Sequence, residues 1–149
     1  MRSLAADRTG NVMIEFALAL PVLALLLVGL VDLGRFSLQK SAMLQGAQAG
    51  AQYGLISYSD SANINATAQT ATGLSGVTAT NTVFCECVAG TSVSCSTTCG
   101  SGETWKRYVT VNTTKSFSSS LSVATHTFSA ALQWTPPTTV SASVTMVVP

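Results

Sequence analysis

Residues 11–31 read NVMIEFALALPVLALLLVGLV, an apolar run close to the N-terminus. From Phe16 to Val31 the chain contains no ionisable residue. At about 1.5 Å per residue, a helix over 11–31 is about 31 Å long, which is enough to cross the hydrocarbon core of a bilayer. Membrane helices tolerate a proline such as Pro21 with a kink rather than an end. The run therefore predicts one transmembrane helix.

Short polar sequence precedes this run, and helical sequence follows it. Residues 1–10 form a mildly basic leader, and residues 32–56 are expected to continue the helix outside the membrane. A cleaved secretory signal peptide would also combine a basic start with an apolar core. No small-x-small cleavage site follows the core in this chain, so a retained anchor is favoured.

Small residues recur every fourth position in the helical continuation. They are Ala42, Gly46, Gly50 and Gly54. Residues four apart share one face of a helix. Each interior glycine costs about 1 kcal/mol relative to alanine. The stripe therefore predicts close approach by a partner helix or by the chain's own sheet, the alternative being a loosely formed helix end.

Residues 57–149 are predicted to form a small domain outside the cytoplasm. A short helix is expected over 62–72, capped by Asp60 or Ser61 and ended by Gly73. Alternating β-branched residues predict strands over 77–88, 105–114, 123–134 and 140–148, with 92–96 pairing back. We expect an antiparallel sheet packed against the outer part of the long helix. The predicted fold is thus α+β, with a long N-terminal transmembrane helix, a second short helix and a small antiparallel β-sheet domain.

Four cysteines lie within the loop 85–99: Cys85, Cys87, Cys95 and Cys99. Their internal spacings differ from the Cys-x2-Cys knuckles of zinc sites, and an oxidising compartment favours two disulfides over zinc or free thiols. Three connectivities are possible, and a nested pairing of Cys85 with Cys99 and Cys87 with Cys95 would suit a hairpin-like excursion. Because positive charge is balanced across the span, the cysteines decide the orientation, with the N-terminus cytoplasmic.

Composition excludes several classes of function. Charged residues make up 9% of the chain and the net charge is +1, so nucleic acid is not an expected partner. His126 is the only histidine, and any Ser-His-Asp or Cys-His site would have to be built on it. No carboxylates stand at the spacing of an acid/base or metal pair. We expect no enzymatic activity, cofactor, metal or small-molecule substrate.

Glu15 is the one carboxylate inside the apolar run. Such a charge costs roughly 2.5–3.5 kcal/mol at the centre of a membrane helix and less near an interface. Glu15 could simply lie in the hydrated headgroup layer near Arg8. If instead the chain were cut after Gly10, the new amine of Asn11 could be neutralised by Glu15 of the same or a neighbouring subunit.

The run Arg8-Thr-Gly10-Asn-Val-Met-Ile-Glu15-Phe16-Ala-Leu-Ala-Leu-Pro21, followed by Gly29, Asp32, Gly34 and Arg35, resembles the start of TadE-like minor pseudopilins. These proteins belong to the tight-adherence (Flp-type) pilus system. The resemblance covers about thirty residues and implies cleavage after Gly10 by a prepilin peptidase. It also implies a role for Glu15 in assembly, with Phe16 as the aromatic residue that follows this Glu in Flp-type prepilins. Asn11 departs from the small or apolar residue usual there.

Two functions follow as expectations. The first is a structural, assembly-type protein of the bacterial inner membrane, a minor pseudopilin whose partners are the lipid bilayer, the prepilin peptidase, other pilin-like subunits and the assembly platform. The second is a permanently anchored binding or adhesion module, whose disulfide loop contacts a ligand or a surface. An anchored enzyme is a distant third.

Overall fold

The computed structural model describes residues 8–87, 91–97, 99–100, 105–120 and 137–148, with side chains from residue 12 onward. Within these ranges the chain forms two helices and four strands. They are α1 (Arg8–Ile56), α2 (Ser61–Ala71), β1 (Thr78–Glu86), β2 (Ser92–Val93), β3 (Lys106–Ser116) and β4 (Thr139–Val148). The α+β prediction is confirmed. The strand predicted over 123–134, His126 and residues 1–7 of the leader lie outside the described residues.

The chain divides into two compact units. The first comprises Met1–Arg35 and Ser118–Pro136, and the second comprises Phe36–Phe117 and Pro137–Pro149. Helix α1 contributes to both and continues through Pro21. It is the one helix in the described part of the chain that is long and apolar enough to span a membrane, and its most apolar stretch is not buried by protein. It is therefore a candidate single span, as the sequence predicts.

The sheet of the second unit is antiparallel throughout, with strand order β2-β1-β3-β4. Successive strand residues face opposite sides of a sheet, so β3 buries every second residue: Val109, Val111 and Thr113. The same alternation buries Val140 and Ala142 of β4. The other face of the sheet carries mainly threonine and serine. One face is therefore packed and the other solvated, as is usual for antiparallel sheets.

Helix α1 approaches both α2 and the sheet through its glycines. A Cβ added to Gly46 would meet the side chain of Thr72 and lie 2.5 Å from the carbonyl oxygen of Ala68. A Cβ on Gly54 would lie 3.0 Å from Val109 Cγ1. The Thr113 hydroxyl also donates a hydrogen bond of 2.9 Å to the carbonyl oxygen of Met43 on α1. The helix and the sheet that the small-residue stripe contacts thus both belong to the same chain. Ala42, the first residue of the stripe, is only half-buried.

Helix α2 has the ends that its sequence predicts. The Asp60 carboxylate accepts a hydrogen bond of 3.1 Å from the Asn63 backbone N–H, which satisfies a donor that the helix leaves free. Just beyond its C-cap, Gly73 has a φ of 63°, a left-handed conformation that favours glycine. The buried face of α2, Ile64 and Ala68, joins the main core cluster with Ala51, Val109 and Val111.

We predict that Gly50→Ala destabilises the second unit. A Cβ there would lie 2.8 Å from Ala68 Cβ and 3.0 Å from the Ile64 carbonyl oxygen, and backbone atoms cannot move aside cheaply. Overpacking should reduce the free energy of unfolding by about 1–3 kcal/mol, more than the gain in helix propensity returns. The control is Gly34→Ala, where a Cβ meets nothing within 4 Å. Chemical unfolding of the full chain in detergent measures both, and equal stabilities would contradict the close packing.

We also predict a pH dependence centred on Asp60. The Asn63 side chain, then the Asn63 backbone N–H, hold the pKa of this carboxyl below its usual value of 3.8. A lowered folded-state pKa means that the contribution to stability is present above the unfolded pKa and is lost as pH falls through the folded one. Asp60→Asn keeps a capping side chain that does not titrate. Its melting temperature should therefore fall less on acidification than that of the wild type, and parallel curves would refute the assignment.

Candidate functional site: the N-terminal helix and the disulfide loop

The residues predicted for processing and assembly lie at the start of α1. Gly10 and Asn11 fall in its first turn, where backbone N–H groups have no partner within the helix. Glu15 and Phe16 are both solvent-exposed in the single chain. No ion pair to Glu15 is formed by any of the side chains that the structure describes. Within the chain the site is an apolar helix surface that carries one exposed carboxylate.

A second carboxylate marks the end of the apolar run. Asp32 is 6% exposed, and its Oδ2 accepts a hydrogen bond of 2.6 Å from the Ser119 hydroxyl. Arg35 Nη1 lies 3.8 Å from Asp32 Oδ1, one turn further along α1. Buried carboxylates are costly unless they are paired and hydrogen-bonded, and these two partners supply both. Asp32 thus fastens the segment after β3 to the anchor helix within the first unit.

The cysteines form two disulfides, but not the nested ones. The structure pairs Cys85 with Cys95 and Cys87 with Cys99. The register explains the difference, because β2 pairs Val93 with Cys85 and the chain then turns at once, through the hydrogen bond from Thr97 N–H to the Ser94 carbonyl. Cys95 is therefore left beside Cys85, and the chain after the turn brings Cys99 to Cys87.

No metal site is formed by the described residues. No three His, Cys, Asp or Glu side chains among them are placed so that they could hold a metal ion, and all four cysteine sulfurs are used in disulfides. The zinc alternative considered for the cysteine loop is therefore not supported. What the loop provides is two covalent crosslinks at the edge of the sheet, next to the short strand β2.

Sequence reasoning missed two contacts. Asp32 was identified only as part of the TadE-like motif. One acidic residue at the end of an apolar run is a signal that could have predicted a buried, paired carboxylate. Arg107 was not among the predicted site residues. Its guanidinium lies over the rings of Tyr58 and Trp105, at 3.9 Å and 5.0 Å from their centroids. Trp105 is two residues from Arg107, but Tyr58 is far from both in the chain, and no local signal could have joined it to them.

The described chain is thus that of a protein with one candidate membrane helix and a small disulfide-bonded α+β unit. A family model described as "TadE-like protein" matches residues 10–52. The match begins at Gly10, includes Glu15 and Phe16, and ends inside α1, so it confirms the resemblance to TadE-like proteins over the helix. Together these findings show a candidate membrane-spanning helix whose sequence is similar to TadE-like proteins over residues 10–52. No curated protein and no solved structure matches the chain.

We predict that the two disulfides differ in what they contribute. Replacing Cys85 and Cys95 together by alanine removes a bridge with a fully buried end, since Cys85 is 1% exposed, whereas Cys87 is half-buried. Each bridge contributes roughly 2–4 kcal/mol, and loss of the buried one should cost more because a cavity is added.

Thiol counting provides the control for this connectivity. Both native-pair replacements should leave no free thiol, because the other bridge stays intact. Replacing Cys85 and Cys99 instead removes one half of each bridge. That variant should show two reactive thiols under denaturing conditions, or a non-native bridge with lowered stability. No free thiols in it, together with a loss of stability no greater than that caused by removing one native bridge, would favour the nested pairing.

Proposed function

We propose that this protein is a minor pseudopilin of a tight-adherence (Flp-type) pilus biogenesis system. It is held in the bacterial inner membrane by α1, with residues 1–10 as a cytoplasmic leader and residues 57–149 on the periplasmic or extracellular side. The observation that carries the proposal is the coincidence of the TadE-like match, residues 10–52, with the long apolar helix α1.

The surface of α1 supports an anchoring and assembling role. Its large apolar side chains remain exposed from Val12 to Leu33, with Leu18 at 72% and Leu30 at 68%. Burying apolar surface is worth roughly 25 cal/mol per Å², so such a helix is not stable in water. Lipid can cover it in the membrane, and neighbouring helices can cover it after assembly. The same surface therefore suits both states of a subunit that leaves the bilayer.

Removal of the leader would give Glu15 a charged partner, the new N-terminal amine. Cleavage after Gly10 would give Asn11 a positively charged amine, and Glu15, a carboxylate that the single chain leaves exposed, would become the fifth residue of the shortened chain. An ion pair between the amine and Glu15, within one subunit or between two, offsets the cost of placing either charge in an apolar environment. The scissile bond lies in the first helical turn, where helix ends open most readily. A prepilin peptidase is the partner that this step requires.

Further partners would be other pilin-like subunits and the assembly platform. A structural role in initiating or capping a pilus needs a packed helix and a distinct outer domain, and needs no catalytic residue. Roles in secretion and cell adhesion would follow from the pilus rather than from this chain alone. The alternative, a permanently anchored binding or adhesion module, keeps its leader and does not require Glu15.

We predict a mature N-terminus at Asn11 when the protein is purified from its native membrane. Intact-mass and N-terminal peptide measurements would detect it, and an intact leader would overturn the processed form. Gly10→Leu should block processing. Gly29→Ala in the same helix, where a Cβ meets nothing within 4 Å, should be processed normally.

Glu15→Gln should insert into the membrane and be processed, but it should reduce piliation because the neutral side chain cannot balance the new amine. Glu15→Asp, which keeps the charge, should retain part of the function. Surface pilin in sheared fractions, quantified against membrane-bound protein, measures the effect. Normal piliation by Glu15→Gln would favour the anchored-module alternative.

A further inference from the structure

Arg107 occupies an unusual position in the second unit. It lies on the packed face of the sheet, opposite Cys85 on β1 and Val148 on β4, where the covering helix has ended. Its guanidinium carbon is 3.9 Å from the ring centroid of Tyr58 and 5.0 Å from that of Trp105. Contact with two rings holds the planar group in place and covers much of it with apolar surface.

The N–H donors of this guanidinium have no acceptor in the described part of the chain. Other basic side chains in these ranges do have partners: Arg35 pairs with Asp32, Lys40 donates to the Ser141 carbonyl and Lys115 to the Ser75 carbonyl. Lys106 is also without an acceptor there, but it is exposed and lies on the opposite face of the sheet. Arg107 is half-buried and oriented by its ring contacts, so its donors are already arranged for an anion.

Apolar surface surrounds these donors. Trp105 is 44% exposed, Tyr58 37% and Val83 38%. Trp, Tyr and Arg are the residues most enriched at the energetic centres of protein interfaces. A guanidinium among exposed rings fits a carboxylate that comes with apolar neighbours, since a planar fork of donors matches a carboxylate with two hydrogen bonds.

The described carboxylates of a second copy are poor acceptors for this site. Asp60 is used in capping α2 and Asp32 is buried with Ser119, while Glu15 lies in the candidate membrane span, which the proposed function places within the bilayer or the assembled helices. Glu86 accepts a hydrogen bond from the Tyr108 hydroxyl, and the pKa of that tyrosine is raised first by desolvation and then by the charge of Glu86. Charge complementarity therefore favours a different protein chain.

The geometry points to the Tyr58–Arg107–Trp105 cluster as a docking site for a carboxylate on an apolar segment of a partner protein. Arg107 binds the carboxylate, and the two rings hold the guanidinium and cover the apolar neighbours of the acidic residue. That the partner is another pilus subunit rests on the proposed function. The binding chemistry does not, and it can be tested on the purified chain whether or not the leader is cleaved.

The test is an NMR titration of the full chain in detergent micelles, followed at the Arg107 Nε–Hε resonance. The probe is the peptide acetyl-Leu-Glu-Leu-amide, and its matched control is acetyl-Leu-Gln-Leu-amide. We expect a saturable shift with the first peptide and at least about tenfold weaker binding of the second, because loss of a charged hydrogen-bond partner removes most of the recognition. Equal binding of the two peptides would overturn the proposal.

Variants distinguish binding by the planar Arg107 guanidinium and the two rings from attraction to any positive charge. Arg107→Lys and Trp105→Ala should each weaken binding several-fold, whereas Lys106→Gln, the neighbouring cation on the other face, should leave it unchanged. Far-UV circular dichroism and the thiol count show that each variant is folded. A loss of binding in Lys106→Gln equal to that in Arg107→Lys would mean general electrostatic attraction and would overturn the site.

Three further outcomes would also overturn the assignment. Inorganic phosphate that binds as tightly as the acidic peptide and is indifferent to Trp105→Ala would indicate a general anion site. Self-association that depends on Arg107 in the absence of peptide would make the occupant a second copy. A resonance that no added carboxylate moves would mean that an acceptor within the chain already holds the guanidinium.

Discussion

The packing of the second unit depends on close approach between the backbone of α1 and its neighbours, α2 and β3. At Gly46 and Gly50 the helix meets the carbonyls of Ala68 and Ile64 on α2, and at Gly54 it meets Val109 on β3. Three glycines cost about 3 kcal/mol of helix propensity relative to alanine. They allow a helix, a second helix and a sheet to share one core of small side chains, since Ala51, Ala68 and Val111 could not touch across a larger gap. Larger residues on this stripe would separate all three elements.

A core of alanine and valine buries little surface per residue, and the disulfides compensate at the weakest edge. β2 contributes only Ser92 and Val93 to the sheet, too few residues to hold a strand by hydrogen bonding alone. The Cys85–Cys95 bridge fastens this edge to β1, and Cys87–Cys99 fastens the chain that follows the turn. The crosslinks restrict the unfolded chain, so they stabilise an edge that has few contacts of its own. Close packing at the glycines and the two disulfides thus both compensate for a core that has little apolar volume.

The sequence was informative wherever the deciding signal is local. The apolar run and the four-residue spacing of glycines predicted α1, and the Asp60 and Gly73 signals predicted both ends of α2. Alternation in 105–114 and 140–148 predicted β3 and β4 to within two residues. Disulfide connectivity depends on strand register and on a turn at Ser94, which spacing does not encode. The Asp32–Ser119 hydrogen bond joins residues 87 positions apart. The sheet topology brings such groups together, and no window of sequence contains both.

The N-terminal half of α1 is exposed in the single chain, whereas its C-terminal half packs within the second unit. The extent of the family match has to be compared with this division. The match ends at residue 52, while the side chains that receive the glycine stripe lie between Ile64 and Val111. What is similar to TadE-like proteins is therefore residues 10–52 of the helix. The domain itself lies outside the match, including Arg107 and the disulfides. Under the proposed function, this helix would serve entry into the membrane and into the assembly. The particular partner would then be selected by surfaces of the domain, where Arg107 is held between two exposed rings.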